Sequence, residues 1–105
     1  MDPRIERLEA VIRARKGADS ASSYVASLFA KGTAKIAQKV GEEATETIIA
    51  ALQEGPDKLT SEAADLLFHL SILLADAGLS LDDVLRELER REGVSGIDEK
   101  ASRKG

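Results

Sequence analysis

The sequence predicts an all-α fold, a small domain of four main helices that completes a helical bundle by pairing with a second copy of itself. Three observations lead there. Apolar residues recur at spacings of three and four, and no alternating run is long enough to make a strand. Glycine, alone or beside proline, separates the periodic stretches at Gly17, Gly32, Gly55-Pro56 and Gly78. One predicted helix is apolar around nearly its whole circumference, which a lone chain of 105 residues has difficulty burying.

The first helix opens at Asp2-Pro3, a capping carboxylate followed by a proline suited to the first turn, and carries Ile5, Leu8 and Ile12 before stopping near Gly17. A short segment from Ser22 to Phe29 reads as one or two turns ending at Lys31-Gly32. The second main helix runs from about Thr33 to Gln53 and is ended by Gly55-Pro56. The third runs from about Lys58 to Asp76. Ser80 caps the fourth, with Asp83 completing a capping box and Leu81, Val84, Leu85 and Leu88 forming its apolar stripe. After Gly93 the chain turns small, charged and aperiodic. The expected division is a helical domain over residues 1–93 and a flexible tail over 94–105.

The charge balance narrows the classes of function. Fifteen basic and 19 acidic residues are interspersed, for a net charge of −4, which is no footprint for nucleic acid. The longest apolar stretch, Ala63 to Ala75, is broken by Asp65, His69 and Ser71 and is too short to cross a bilayer. Neither a nucleic-acid partner nor a membrane is expected, and the expected location is the cytoplasm. The absence of cysteine excludes disulfides and thiolate ligands.

Helical projection then singles out the acids. At about 100° per residue, Val40, Ala44, Thr47, Ile48, Ala51 and Leu52 follow Ile36 along one stripe, the expected core face, and Glu43 lies about 20° outside it. Glu43 and Glu46 are three residues apart and leave the same side of their helix. On the next helix Glu62, Asp65, His69 and Asp76 form one polar stripe on an otherwise apolar cylinder. Carboxylates so placed are costly unless a positive group compensates them, and a divalent cation does so.

An all-oxygen set of Glu43, Glu46, Glu62 and Asp65 suits Mg²⁺, with Mn²⁺ as the alternative, rather than zinc. The helical di-iron pattern wants Glu-x-x-His, where this chain has Glu62-Ala63-Ala64-Asp65. His69 is expected as a partner of Asp65 or as a packed core histidine, not as a ligand. Such a metal holds substrate through phosphates and activates a water, which Glu42 or one of the ligands would align. Lys31, Lys35 and Lys39 recur every four residues, and Lys35 and Lys39 share a face with Glu43, where they can meet phosphate oxygens.

The stretch Lys35-Ile36-Ala37-Gln38-Lys39-Val40-Gly41-Glu42-Glu43-Ala44-Thr45-Glu46, followed by Glu62-Ala63-Ala64-Asp65-Leu66-Leu67-Phe68-His69-Leu70, resembles the phosphoribosyl-ATP pyrophosphatases of histidine biosynthesis. These are a branch of the all-helical nucleotide pyrophosphohydrolases. The likeness extends from roughly Leu8 to Arg91. It implies hydrolysis of the α–β phosphoanhydride of phosphoribosyl-ATP to phosphoribosyl-AMP and pyrophosphate, with Mg²⁺, in a cytoplasmic homodimer. It implies Glu43, Glu46, Glu62 and Asp65 as metal ligands and Glu42 as a supporting or water-orienting carboxylate, so that Glu42, Glu43 and Glu46 form the catalytic group. Lys31, Lys35, Lys39, Ser23 and Tyr24 are implied to contact substrate phosphate or ribose. Two positions depart from the usual pattern: Val25 stands in place of threonine and Phe68 in place of tyrosine. A broader nucleoside-triphosphate pyrophosphohydrolase and a non-catalytic helical dimerisation module are the competing readings.

Overall fold

A computed structural model describes residues 1–92, as five helices joined by short turns: α1 (Pro3–Arg15), α2 (Tyr24–Lys31), α3 (Thr33–Gln53), α4 (Pro56–Asp76) and α5 (Leu81–Arg91). No strand occurs among the described residues. The expected boundary after residue 93 and the tail over 94–105 lie outside them. The four main helices are present, and the short segment before Gly32 is a helix in its own right. No single helix among the described residues is long and apolar enough to cross a membrane.

The helix ends follow from particular side chains. The Asp2 carboxylate accepts the Arg4 N–H at 2.8 Å at the start of α1, and Ser23 Oγ accepts the Ala26 N–H at 3.0 Å at the start of α2. Ser80 and Asp83 make the reciprocal capping box of α5. Gly32 and Gly55 both adopt φ of 95°, a conformation L side chains rarely take, and each joins two helices with almost no loop, Gly55 at the turn of the α3–α4 hairpin. The helix expected from Lys58 starts two residues sooner. Pro56 is incompatible with the end of α3 but well suited to the first turn of α4, so it opens the helix it was expected only to precede.

The core is built where α1 and α2 lie across one end of the α3–α4 hairpin. Ile12 of α1, Val25 and Leu28 of α2, Ile36 of α3 and Ile72 of α4 are buried together, with Leu8, Phe29, Phe68 and Leu73 packed around them. Each such side chain contributes about 1.5–3 kcal/mol through burial. Lys16 donates to the Ala75 carbonyl at 3.2 Å, placing a cation at the C-terminal end of α4. Thr33 Oγ1 donates to Asp76, so the last acid of the α4 stripe ties the two ends of the hairpin together. Glu9, buried in α1, accepts the Leu81 N–H at 2.8 Å and fixes the start of α5.

The expected core face of α3 is corrected by this arrangement. The residues of α3 that are buried are Ile36, Glu43 and Ala50, spaced by sevens, whereas Ile48 is 59% and Leu52 77% exposed. A spacing of seven drifts only about 20° per step on a helix, so these three residues form one line along the hairpin seam. The apolar stripe through Ile48, Ala51 and Leu52 points away from it. Helix α4 is likewise not covered on every side within one chain, with Leu67 41% exposed.

Candidate active site

The same seam carries the acids to one another. Glu43 sits on it between Ile36 and Ala50, and Glu62 and His69 occupy buried positions seven apart on α4. One carboxylate oxygen from each of Glu43, Glu62 and Asp65 lies within 4.8 Å of the others. Glu43 and Glu62 are buried, and the Oε2 atom of each has no hydrogen-bond partner. Three carboxylates at that spacing repel one another by roughly 3 kcal/mol per pair at an effective dielectric of about 20. Buried acceptors left unmatched add a desolvation cost of their own. Both costs are relieved by a hard divalent cation, and the donor set, oxygen throughout, is the kind Mg²⁺ or Mn²⁺ takes.

Glu46 adjoins this group without belonging to its tightest part. With Glu62, Ile49, Glu54 and Lys58 it lines a cleft of about 300 Å³ between α3 and α4. The nearness of Glu43 above all, and of Glu62, as hydrogen-bond acceptors and as negative charges, holds the Glu46 carboxyl above its ordinary range. Of the four acids expected as ligands, Glu43, Glu62 and Asp65 converge, and Glu46 stands beside Glu43 and Glu62.

Glu42, next to Glu43 in sequence, behaves differently. It is exposed, accepts from Gln38 at 3.0 Å and pairs with Lys39 at 3.1 Å. These two partners, Gln38 first, hold its carboxyl below the usual range, so it is an ionised base at neutral pH just outside the cluster.

Cations stand beside the acids on both helices of the seam. Lys39 reaches Glu42 and, at 3.8 Å, Glu43, and hydrogen bonding to Glu42 keeps its ammonium charged. Lys35 lies one turn earlier on α3, near enough to favour the ionised form of Glu42. Lys31 is exposed in the last turn of α2. Lys58, which the sequence reading passed over, pairs with Glu62 at 3.2 Å. Its signal was available, since Lys58 and Glu62 are four residues apart on one helix and so share a face.

Ser23 and Tyr24 approach from α2. Ser23 Oγ is engaged in capping that helix, whereas the Tyr24 hydroxyl lies 2.7 Å from His69 Nε2. Partial burial raises the Tyr24 phenol above its ordinary range; nearby Lys39 opposes that shift, and Glu43, Glu42 and Asp65 add to it. His69 is buried and its Nδ1 lies 2.7 Å from the Asp65 backbone carbonyl, so it is the packed histidine expected and bonds Asp65 through the main chain. The two departures noted in the sequence are both apolar packing positions. Val25 is in the core, and the Phe68 ring stands edge-on to the His69 ring.

Fold and site together define a small all-helical protein that gathers carboxylates from two neighbouring helices into a donor set suited to a hard divalent ion. Residues 5–92 match the family described as phosphoribosyl-ATP pyrophosphohydrolase. The chain is 63% identical over 99 residues to the phosphoribosyl-ATP pyrophosphatase of Erythrobacter litoralis (strain HTCC2594), covering 94% of this chain and 95% of that one. It is 61% identical over 99 residues to that of Rhizorhabdus wittichii, covering 94% and 93%, and 62% identical over 96 residues to that of Zymomonas mobilis, covering 91% and 90%. The chain belongs to the phosphoribosyl-ATP pyrophosphohydrolase family.

Proposed function

We propose that this chain hydrolyses the α–β phosphoanhydride of phosphoribosyl-ATP to phosphoribosyl-AMP and pyrophosphate, the second step of histidine biosynthesis, with Mg²⁺ at Glu43, Glu46, Glu62 and Asp65. Family membership supports the substrate. The metal reading is carried by one observation, the convergence of Glu43, Glu62 and Asp65 oxygens with two buried carboxylate oxygens left unmatched. Mn²⁺ fits the same oxygen set.

When bound, the ion supplies neutralisation of charge on the bridging phosphate oxygens and acidification of a water. The rest is the work of the chain. Glu42, ionised and beside the cluster, orients the attacking water and takes its proton, while Glu43 and Glu46 stand next to it as the other members of the catalytic group. Lys39 and Lys35 on α3, with Lys31 on α2, place positive charge along the polyphosphate. Tyr24, at the start of α2 and within electrostatic reach of the same acids, meets the substrate with Ser23 beside it. The uncovered stripe of α3 and the exposed Leu67 of α4 support a homodimer in which a second copy closes the hairpin. The cytoplasm is the proposed location, with neither membrane nor nucleic acid as partner.

Pyrophosphate release measured on phosphoribosyl-ATP, on ATP and on several deoxynucleoside triphosphates, with and without Mg²⁺, tests this reading. The expected result is Mg²⁺-dependent release with phosphoribosyl-ATP strongly preferred. A preference for deoxynucleotides would assign the site to general nucleotide hydrolysis, and no release from any nucleotide would leave only a helical dimerisation module.

A further inference from the structure

The pair formed by Tyr24 and His69 has a polarity that constrains what Tyr24 can do. The Asp65 backbone carbonyl, 2.7 Å from His69 Nδ1, is an acceptor only, so Nδ1 carries the hydrogen. In the neutral ring Nε2 then offers a lone pair, and the Tyr24 hydroxyl at 2.7 Å donates into it. The imidazole cannot readily turn to offer anything else. It is 5% exposed and fixed edge-on between the Tyr24 ring, at 5.7 Å, and the Phe68 ring, at 5.3 Å. With its hydrogen directed inward, the phenol oxygen has only lone pairs left to present outward. Tyr24 is 49% exposed and lies within electrostatic reach of Lys39, Glu42, Glu43 and Asp65, so its open side stands beside the carboxylate cluster.

We propose that His69 is a positioning residue that commits the Tyr24 hydroxyl hydrogen to the protein interior, so that Tyr24 meets the substrate as an acceptor and takes a sugar hydroxyl, not a phosphate oxygen. Phosphate oxygens are themselves acceptors, and two acceptors make no bond. The proposal rests on phosphoribosyl-ATP binding at the carboxylate cluster, and that substrate offers two sources of the same chemistry: the ribose of adenosine and the added phosphoribosyl sugar.

The chain contains one histidine and one tyrosine, so both signals can be read without assignment. Nitrogen NMR of the imidazole at neutral pH is expected to show a protonated Nδ1 and an unprotonated Nε2, and Tyr24→Phe is expected to move the Nε2 resonance. A protonated Nε2 would overturn the polarity outright. In steady-state kinetics, Tyr24→Phe and His69→Leu are each expected to raise KM for phosphoribosyl-ATP about 10-fold, the scale of one hydrogen bond, with a much smaller change in kcat. The double variant should be no worse than His69→Leu, and His69→Gln, which restores an acceptor, should recover most of the loss. Losses that multiply in the double variant, or an unchanged KM for Tyr24→Phe, would refute the proposal. Repeating the comparison on the substrate with a 2′-deoxy adenosine sugar locates the contact. If the penalty of Tyr24→Phe disappears there, the partner is that 2′-hydroxyl; if it persists, another sugar hydroxyl is the partner. Wild-type protein that releases no pyrophosphate from phosphoribosyl-ATP would defeat the functional reading and the sugar contact with it, while the imidazole spectrum would still decide the His69–Tyr24 polarity.

Discussion

Glu62 is unfavourable for the fold and is proposed as a ligand of the site. It is buried on the hairpin seam, one oxygen is unmatched, and its ion pair is with Lys58, whose side chain is half exposed and worth little. Glu62→Gln is therefore expected to raise the melting temperature of the metal-free protein by a few degrees, relief of about 1 kcal/mol shifting a domain of this size by roughly 4–8 °C. The same variant should lose the further rise that Mg²⁺ gives the wild type. Thermal unfolding with chelator and with Mg²⁺ checks both; a lower metal-free melting temperature together with a retained Mg²⁺ response would show a structural acid. The approach of Glu43 to Glu62 and Asp65 was legible in the sequence because spacing on a helix fixes direction. The partner of His69 was not, since the angle at which α2 crosses the hairpin depends on tertiary packing.

At the scale of elements, the caps and breakers were readable and the boundaries mostly followed them. Asp2, Ser80 and Asp83 act as read. The beginning of α4 was missed because a proline signals both an ending and a beginning, and only the conformation of Gly55 decides between them. Helix α5 illustrates a surface contribution that depends on pH. Bonds from Arg90, then Arg91, lower the Glu87 carboxyl to about 2, against partial desolvation. A folded-state value below the unfolded one gives stability that is present above the ordinary value of 4.5 and is lost as pH falls toward about 2. Wild type should melt higher than Glu87→Gln at pH 7, with the difference shrinking below pH 4.5 and vanishing near pH 2. A difference that stays constant down to pH 2 would contradict the assignment.

For the whole molecule, the sequence pattern announced more apolar surface than one chain covers, and the structure locates it. Helices α1 and α2 lie over the Ile36 and Ile72 end of the hairpin, leaving Ile48, Ile49 and Leu52 open toward Gly55. The projection identified the stripe but assigned it to the wrong neighbour: the line through Ile36, Glu43 and Ala50 meets α4, and the broader apolar face is left for another surface. If that surface is a second copy, light scattering gives twice the chain mass, and Leu52→Asp shifts the protein toward monomer by placing a charge in the contact. A compact wild-type monomer would contradict the homodimer.

The carboxylates gathered on the α3–α4 seam are proposed as the metal site of a pyrophosphohydrolase. Pyrophosphate release from phosphoribosyl-ATP by Glu43→Gln, followed across Mg²⁺ concentration beside the wild type, tests that assignment most directly. The substitution preserves shape and removes one ligand charge. The expected loss in kcat/KM is at least about 100-fold, or roughly 3 kcal/mol of transition-state stabilisation, at every Mg²⁺ concentration. Full activity in Glu43→Gln, with an unchanged dependence on Mg²⁺, would contradict it.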